Sequence, residues 1–262
     1  MPLVIARPAA NTRFEIDATP QMPTILCEAR ITGVQPDPTP TTSFDWSIEI
    51  TEAVAPSTCA SARVGNCRVT VSERSVRGGS WTPRLTVFQG GDAVITVTAQ
   101  HGATALQAKV SVQIRGRNPA AQAITNRLGG RGTAADHVAC HESGRRQFGN
   151  DSMPLLGPGG DVGVMQLCNP AASCEQRWSW AANVAAGATL FAEKDAAARR
   201  YLNQHIVQGR YPNDQNLADA DVLLRETIQR YNGGSYWRWN GTANRWDASP
   251  PNQYVARVLA CN

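Results

Sequence analysis

The stretch IRGRNPAAQ, residues 114–122, is where one kind of sequence stops and another begins. Before it lies ALQAKVSVQI (105–114), an alternating β-branched run that reads as a strand, because side chains on an extended chain point to opposite faces in turn. After it, Asn118 followed by Pro119 reads as a helix start: a short polar side chain can accept an orphan backbone N–H, and the fixed φ of proline suits a first turn. That helix is expected to run to Leu128 and stop at Gly129 and Gly130. The chain is therefore expected to have two domains, all-β over 1–116 and all-α over 117–262.

Working back from this point, PTILCEARITG (23–33), SFDWSIEI (43–50), CRVTVSE (67–73), RLTVF (84–88) and AVITVTA (93–99) read as further strands, parted by Pro, Gly and Ser clusters. Short strands at such intervals imply a β-sandwich. QHGAT (100–104) joins the last two as a hairpin, with Gly102 expected at positive φ. Cys27, Trp46 and Cys67 stand in the order of an immunoglobulin-like fold, and this half resembles bacterial immunoglobulin-like modules, with Gly65 where the corner tyrosine would be. Such a module would bind or position, and its sequence names no ligand.

Working forward, helices are expected at about 134–143, 179–200, 216–231 and 251–260. Trp180, Val184, Gly187 and Phe191 recur at helical spacing and predict a buried stripe. A chain of 262 residues can bury cores of this size without staples. Its net charge of +4 comes almost wholly from arginine, Lys109 and Lys194 being the only lysines, and the basic residues are scattered among acids. A nucleic-acid binder would gather them on one face, so none is expected as a partner. No apolar run approaches a membrane span, and MPLVIARPAANTRFEID lacks the cationic start and apolar core of a Sec leader. Neither membrane insertion nor Sec export is expected. The seven cysteines form no CxxC pair and no zinc-ligand set. Disulfides are expected rather than metal, with one thiol left over and the connectivity open.

The stretch HVACHESGRRQFGN (137–150) crowds reactive side chains onto one short helix. His137 and His141 share a face, but Val138 stands where a zincin has its glutamate and no third ligand is evident, so no metal is expected. Cys140 and His141 are adjacent, about 100° apart on a helix, and cannot face each other as nucleophile and base. Glu142 remains: it sits near a helix end stopped by Gly144, and a carboxyl lodged against apolar walls is suited to donate a proton.

Downstream come GGDVGVMQLCNP, WSWAANVAAGATLFAEK, RETIQRYNGG and NQYVARVLA. Together with ES these resemble the lysozyme-like superfamily, specifically soluble lytic transglycosylases and goose-type lysozymes. Glu142 and Ser143 match the family's E-S. Gly163, Met165 and Gln166 match G-L-M-Q, with Val164 for leucine; Asn183, Val184 and Gly187 match N-I-x-x-G; Tyr231, Asn232 and Gly234 match A-Y-N-x-G; Tyr254, Val255 and Val258 match Y-V-x-x-V. The resemblance covers roughly 130–262. It implies that Glu142 is the acid and base of glycosidic cleavage, that Met165 and Gln166 line the floor near the scissile sugars, that Tyr231 holds the sugar or the acid, and that Asn232 contacts the glycan backbone or supports the loop. Asn183 and Gly187 read as packing residues. Ser143 and Tyr254 complete the expected binding set, and the aromatic stretch YWRWNGTANRW (236–246) adds Tyr236 and Trp237, since flat rings stack on sugars.

The expected substrate is the peptidoglycan glycan strand, cut between MurNAc and GlcNAc by transglycosylation or hydrolysis, with no cofactor. Hydrolysis usually needs a second carboxyl. Cys168 stands where goose-type lysozymes carry an aspartate, so Asp161 and Asp151 are the candidates for that role. The expected setting is an antibacterial effector or lysis enzyme, made in a bacterial or phage-infected cytoplasm and brought to the periplasmic wall by a type VI-like apparatus or by lysis, with an immunity or delivery protein as partner. A non-catalytic wall-binding or tail protein is the alternative.

Overall fold

The computed structural model describes residues 2–54, 59, 67–207, 220–243, 245–248 and 253–261. Gly65, the starts of the helices expected at 216 and 251, Asn244 and the side chain of His205 lie outside the described residues. Among the described residues are ten strands in three sheets and six α-helices.

Eight strands precede residue 117: β1 (Leu3–Arg7), β2 (Arg13–Ile16), β3 (Cys27–Ile31), β4 (Ser43–Glu52), β5 (Cys67–Arg77), β6 (Ser80–Trp81), β7 (Gly91–His101) and β8 (Thr104–Gly116). They form a five-stranded sheet in the order β2-β8-β7-β4-β5 and a three-stranded sheet in the order β1-β3-β6. Among the described residues, only β2 pairs in parallel, with β8. Alternation puts Phe44, Trp46, Ile48 and Ile50 on the inner face of β4, and the register sets Ile48 opposite Ile95 and Trp46 opposite Val97 of β7. These residues share one apolar core with Cys27, Ala29, Ile31 and Trp81 of the smaller sheet. The β7–β8 turn has Gly102 at φ +59°, as its sequence predicts.

RLTVF (84–88) is not a strand. Pro83 cannot donate to a ladder, and Leu85 and Phe88 instead pack on the core from an irregular segment.

The remaining elements are α1 (Ala121–Arg127), α2 (Ala134–Ser143), α3 (Cys174–Trp178), α4 (Trp180–Val207), α5 (Ala220–Tyr231), β9 (Trp237–Asn240), β10 (Arg245–Ala248) and α6 (Tyr254–Ala260). Helix α1 starts from Ala120, later than Asn118. The Asn118 side chain is used elsewhere: its oxygen accepts the N–H groups of Gln147 (2.8 Å) and Phe148 (2.9 Å), and its amide donates to Phe148 O. No helix is long and apolar enough to cross a membrane among the described residues.

The expected division into an all-β half and an all-α half is overturned: the chain is mixed α/β. One compact unit comprises Met1–Pro119, Gln147–Gly163 and Cys168–Trp180, so it takes α3 and two later segments into its β framework. The other comprises Ala120–Arg146, Val164–Leu167 and Ala181–Asn262, and it contains the β9–β10 hairpin. The first unit borrows later segments because its core needs them. Phe148 and Trp178 belong to the strands' core, and a Cβ on Gly116 would lie 2.2 Å from the Phe148 ring. Glu52 ends the inner face of β4, and burying its charge requires a partner. Arg177 meets it with Nε at 2.9 Å from Oε1, and the Trp178 indole donates to Oε2 at 2.6 Å. Disulfides Cys59–Cys168 and Cys67–Cys174 fasten the same segments, leaving Cys27 as the free cysteine, so the immunoglobulin-type bridge from Cys27 to Cys67 does not form. Burial pushes the Cys27 thiol up to about 12, which keeps it protonated and inert.

Candidate active site

Helix α2 is bounded by local signals. Thr133 caps its start by accepting the Asp136 N–H, and Gly144 at φ +62° ends it in a left-handed cap. Along it, His137, Cys140 and His141 fall on one face by their spacing and meet α6. Cys140 forms a disulfide with Cys261, which directly follows α6. His137 Nδ1 lies 2.6 Å from Cys261 O; a carbonyl only accepts, so Nδ1 carries the proton. The His141 ring meets Tyr254 edge-on at 5.2 Å. Glu142, half-buried, accepts a hydrogen bond at Oε1 from the Tyr254 hydroxyl.

A second segment, Val164–Leu167, is fixed atom by atom in the same unit. Asn183 Oδ1 on α4, fully buried, accepts the Met165 N–H at 2.9 Å. Tyr231 at the end of α5 donates its hydroxyl to Met165 O at 2.7 Å. The Ser143 hydroxyl lies 2.8 Å from Val164 O and 3.0 Å from Ala139 O, and it accepts the Arg146 N–H. Gly187 lets the chain approach: a Cβ there would lie 2.2 Å from Met165 Cγ. Gln166 then takes φ +46°, a left-handed conformation that costs a non-glycine residue about 1–3 kcal/mol and persists only where the surroundings impose it.

Burial, and after it the charge of Glu142, hold the Tyr231 and Tyr254 hydroxyls well above the ordinary tyrosine range. Both phenols stay neutral donors across the pH range in which a carboxyl titrates. The unit thus presents a half-buried carboxyl oriented by a phenol that does not change charge. Proton transfer to and from a bound oxygen is the chemistry such a group can do.

The other expected site residues are placed as follows. Asn232 is exposed and Tyr236 half-buried. Trp237 is 6% exposed: with Trp246, Leu202 and Val222 it forms the small core beneath the β9–β10 hairpin, and its indole donates to Val222 O at 3.1 Å. Buried Glu226 organises that corner by accepting the N–H groups of Tyr236 (2.9 Å) and Trp237 (3.0 Å). Asp151 and Asp161 belong to the first unit, whereas Glu142 belongs to the second. Asp151 Oδ1 accepts the Met153 N–H at 3.0 Å, and Asp161 Oδ1 lies 3.6 Å from Cys59 Sγ. Cys59, Asp161 and Cys168 bring their ligand atoms within 4.8 Å of one another, but the two sulfurs are bonded to each other and offer no thiolate to an ion.

Asp136 and Arg145 are not signalled by any motif, yet they fix the backbone that leaves α2 beside Glu142. Asp136 is fully buried and takes Arg145 Nε at 2.8 Å and Nη2 at 2.9 Å, along with the Thr125 hydroxyl at 2.8 Å. Arg145 sits at φ +59°, held there by this two-pronged pairing. The arginine and the other donors bring the Asp136 carboxyl down to about 2. An acid nine residues before an arginine is too common a pattern to find by eye.

No family model matches the chain, and no curated protein matches it.

Proposed function

We propose that the chain is a glycosidase that cleaves the β-1,4 bond between MurNAc and GlcNAc in peptidoglycan glycan strands, with Glu142 as acid and then base. The observation that carries this reading is the meeting of sequence elements spread from Glu142 to Tyr254 in one unit, where the Tyr254 hydroxyl bonds the Glu142 carboxyl. The lysozyme-like resemblance rests on those same elements.

In this mechanism Tyr254 holds Oε1 and Oε2 carries the proton. Oε2 delivers it to the glycosidic oxygen as the bond to the sugar breaks, and the neutral phenol stabilises the carboxylate left behind. Glu142 then takes a proton from the attacking hydroxyl. If that hydroxyl belongs to the cleaved sugar itself, an anhydro end forms and one carboxyl suffices; if it belongs to water, the enzyme is a muramidase, a reaction that usually calls for a second carboxyl. Gln166, the partly exposed residue of the pinned Val164–Leu167 segment, would lie beneath the sugars, with fully buried Met165 supporting it from below. Tyr231 and exposed Asn232 would border it. The biological setting that suits this activity is an antibacterial effector or lysis enzyme, with an immunity protein that covers the cleft.

Digesting purified sacculi with wild type and Glu142→Gln, then weighing the products, tests this. Loss of the general acid should slow cleavage about 10²–10⁴-fold. Anhydro-ended muropeptides identify a transglycosylase and water-added reducing ends a muramidase. Intact strands with cut peptides, or sacculi bound without release of fragments, would reject the proposal.

A further inference from the structure

Glu142 and Tyr254 lie far apart in sequence, and the helix that carries Tyr254 is short. Helix α6 has 7 residues, and a helix of that length does not hold itself in place without packing or cross-links. It is docked by the buried Val255 and Val258 and by a row of contacts to α2: the Tyr254 hydroxyl on Glu142, the ring edge on His141, the His137 N–H on Cys261 O, and the Cys140–Cys261 bond. Only the last is covalent. It ties the C-terminal end of α6, the end opposite Tyr254, to the helix that carries Glu142, so it fixes the helix whose first residue is the phenol.

We propose that the Cys140–Cys261 disulfide is the positioning element that keeps Tyr254 on Glu142, so that cleavage competence requires this bond and is lost when it is reduced. The inference rests on the glycan-cleaving reading of the site. Reduction by a dithiol balances simply: its two sulfurs give two electrons and two protons, the Sγ–Sγ bond breaks to the Cys140 and Cys261 thiols, and the reductant leaves as its own cyclic disulfide. With the tether gone, α6 keeps only non-covalent contacts, and the Tyr254 hydroxyl leaves the carboxyl for solvent. A chain of this kind is idle in a reducing compartment and competent in an oxidising one, where bacterial cell wall is met.

The test uses the full chain with Cys140→Ala and Cys261→Ala together, leaving the other two disulfides in place. On sacculi, kcat is expected to fall ~100-fold, the scale of a misplaced catalytic geometry, with KM close to wild type because the floor segment is untouched. Independently of activity, spectrophotometric titration should show one more phenol ionising near the ordinary value of about 10 than wild type does. A wild-type kcat, or an unchanged phenol titration, overturns the proposal. Should circular dichroism show the double variant unfolded, wild type is poised in a series of dithiothreitol redox buffers, and free thiols are alkylated and mapped by mass. Activity and the buried phenol must then be lost in step with labelling of Cys140 and Cys261. Loss in step with Cys59 and Cys168, or with Cys67 and Cys174, overturns it, as does activity that survives labelling of Cys140 and Cys261. Glu142→Gln separates the two levels: if that variant still cuts sacculi, the glycosidase reading fails, while the phenol titration still decides whether the disulfide places Tyr254.

Discussion

At the end of α2 a carboxyl and a phenol share one hydrogen bond, and the phenol is the partner whose charge stays fixed. Tyr254→Phe keeps the ring and its edge contact with His141 while deleting the donor. It should lower kcat on sacculi by ~10-fold or more and cost about 0.5–1.5 kcal/mol of stability, the net worth of a hydrogen bond, as read from urea unfolding. A second residue-scale test concerns Gly187. In a helix interior Gly→Ala ordinarily gains about 0.5–1 kcal/mol, but here the new methyl would lie 2.2 Å from Met165 Cγ, and overpacking costs about 1–3 kcal/mol. The clash wins, so Gly187→Ala should lower the urea midpoint; a rise would show that the Met165 segment yields freely. The close packing at Gly187 was legible in the sequence because the residue sits in a spaced motif. The work of Asn183 was half legible: it reads as packing, and its buried oxygen in fact fixes the Met165 N–H.

For the elements, legibility follows how local the determining physics is. Helix α2 spans Ala134–Ser143, the expected bounds, because Thr133 and Gly144 write its ends into adjacent residues. RLTVF has strand composition but finds no ladder, and Asn118 has the chemistry of a cap but spends it on Gln147 and Phe148. In both, a partner distant in sequence decides the outcome. The exit from α2 depends on another such partnership, Asp136 with Arg145, and it has a pH signature. The Asp136 carboxyl is depressed in the folded chain to about 2 from an ordinary 3.8. A depressed carboxyl contributes stability that is present above its unfolded value and is lost as pH falls through the folded one. Stability should therefore drop by roughly 2 kcal/mol between about pH 4 and pH 2 on this account. Asp136→Asn should flatten that part of the profile and lower stability at neutral pH, since Arg145 is left without its buried counter-charge. Denaturation midpoints across this range for both proteins check it; parallel profiles would remove Asp136 as the cause.

Over the whole molecule, the sequence reads as an all-β half followed by an all-α half, and the structure is mixed α/β instead. Glu52 calls for a buried cation and Phe44, Trp46 and Ile48 for more apolar cover, and both needs are met by residues of the same unit, Arg177 for the charge and Phe148 and Trp178 for the cover. Side-chain periodicity carries no record of which later segment completes a core. The aromatic stretch before residue 247 shows the same blindness at the other end: composition suggested a sugar platform, while Trp237 and Trp246 are buried as the core of a hairpin. The site elements, by contrast, are spread from Glu142 to Tyr254 and are joined by bonds that each involve a motif residue, Ser143, Met165, Asn183, Tyr231 or Tyr254. Cleavage of glycan strands by the Glu142 carboxyl is tested by mass analysis of sacculi treated with wild type and Glu142→Gln. Soluble muropeptides with anhydro or water-added ends from wild type, and a yield lowered at least about 10²-fold with the variant, are the result the account requires. Equal release by both proteins, or none by either, would contradict it.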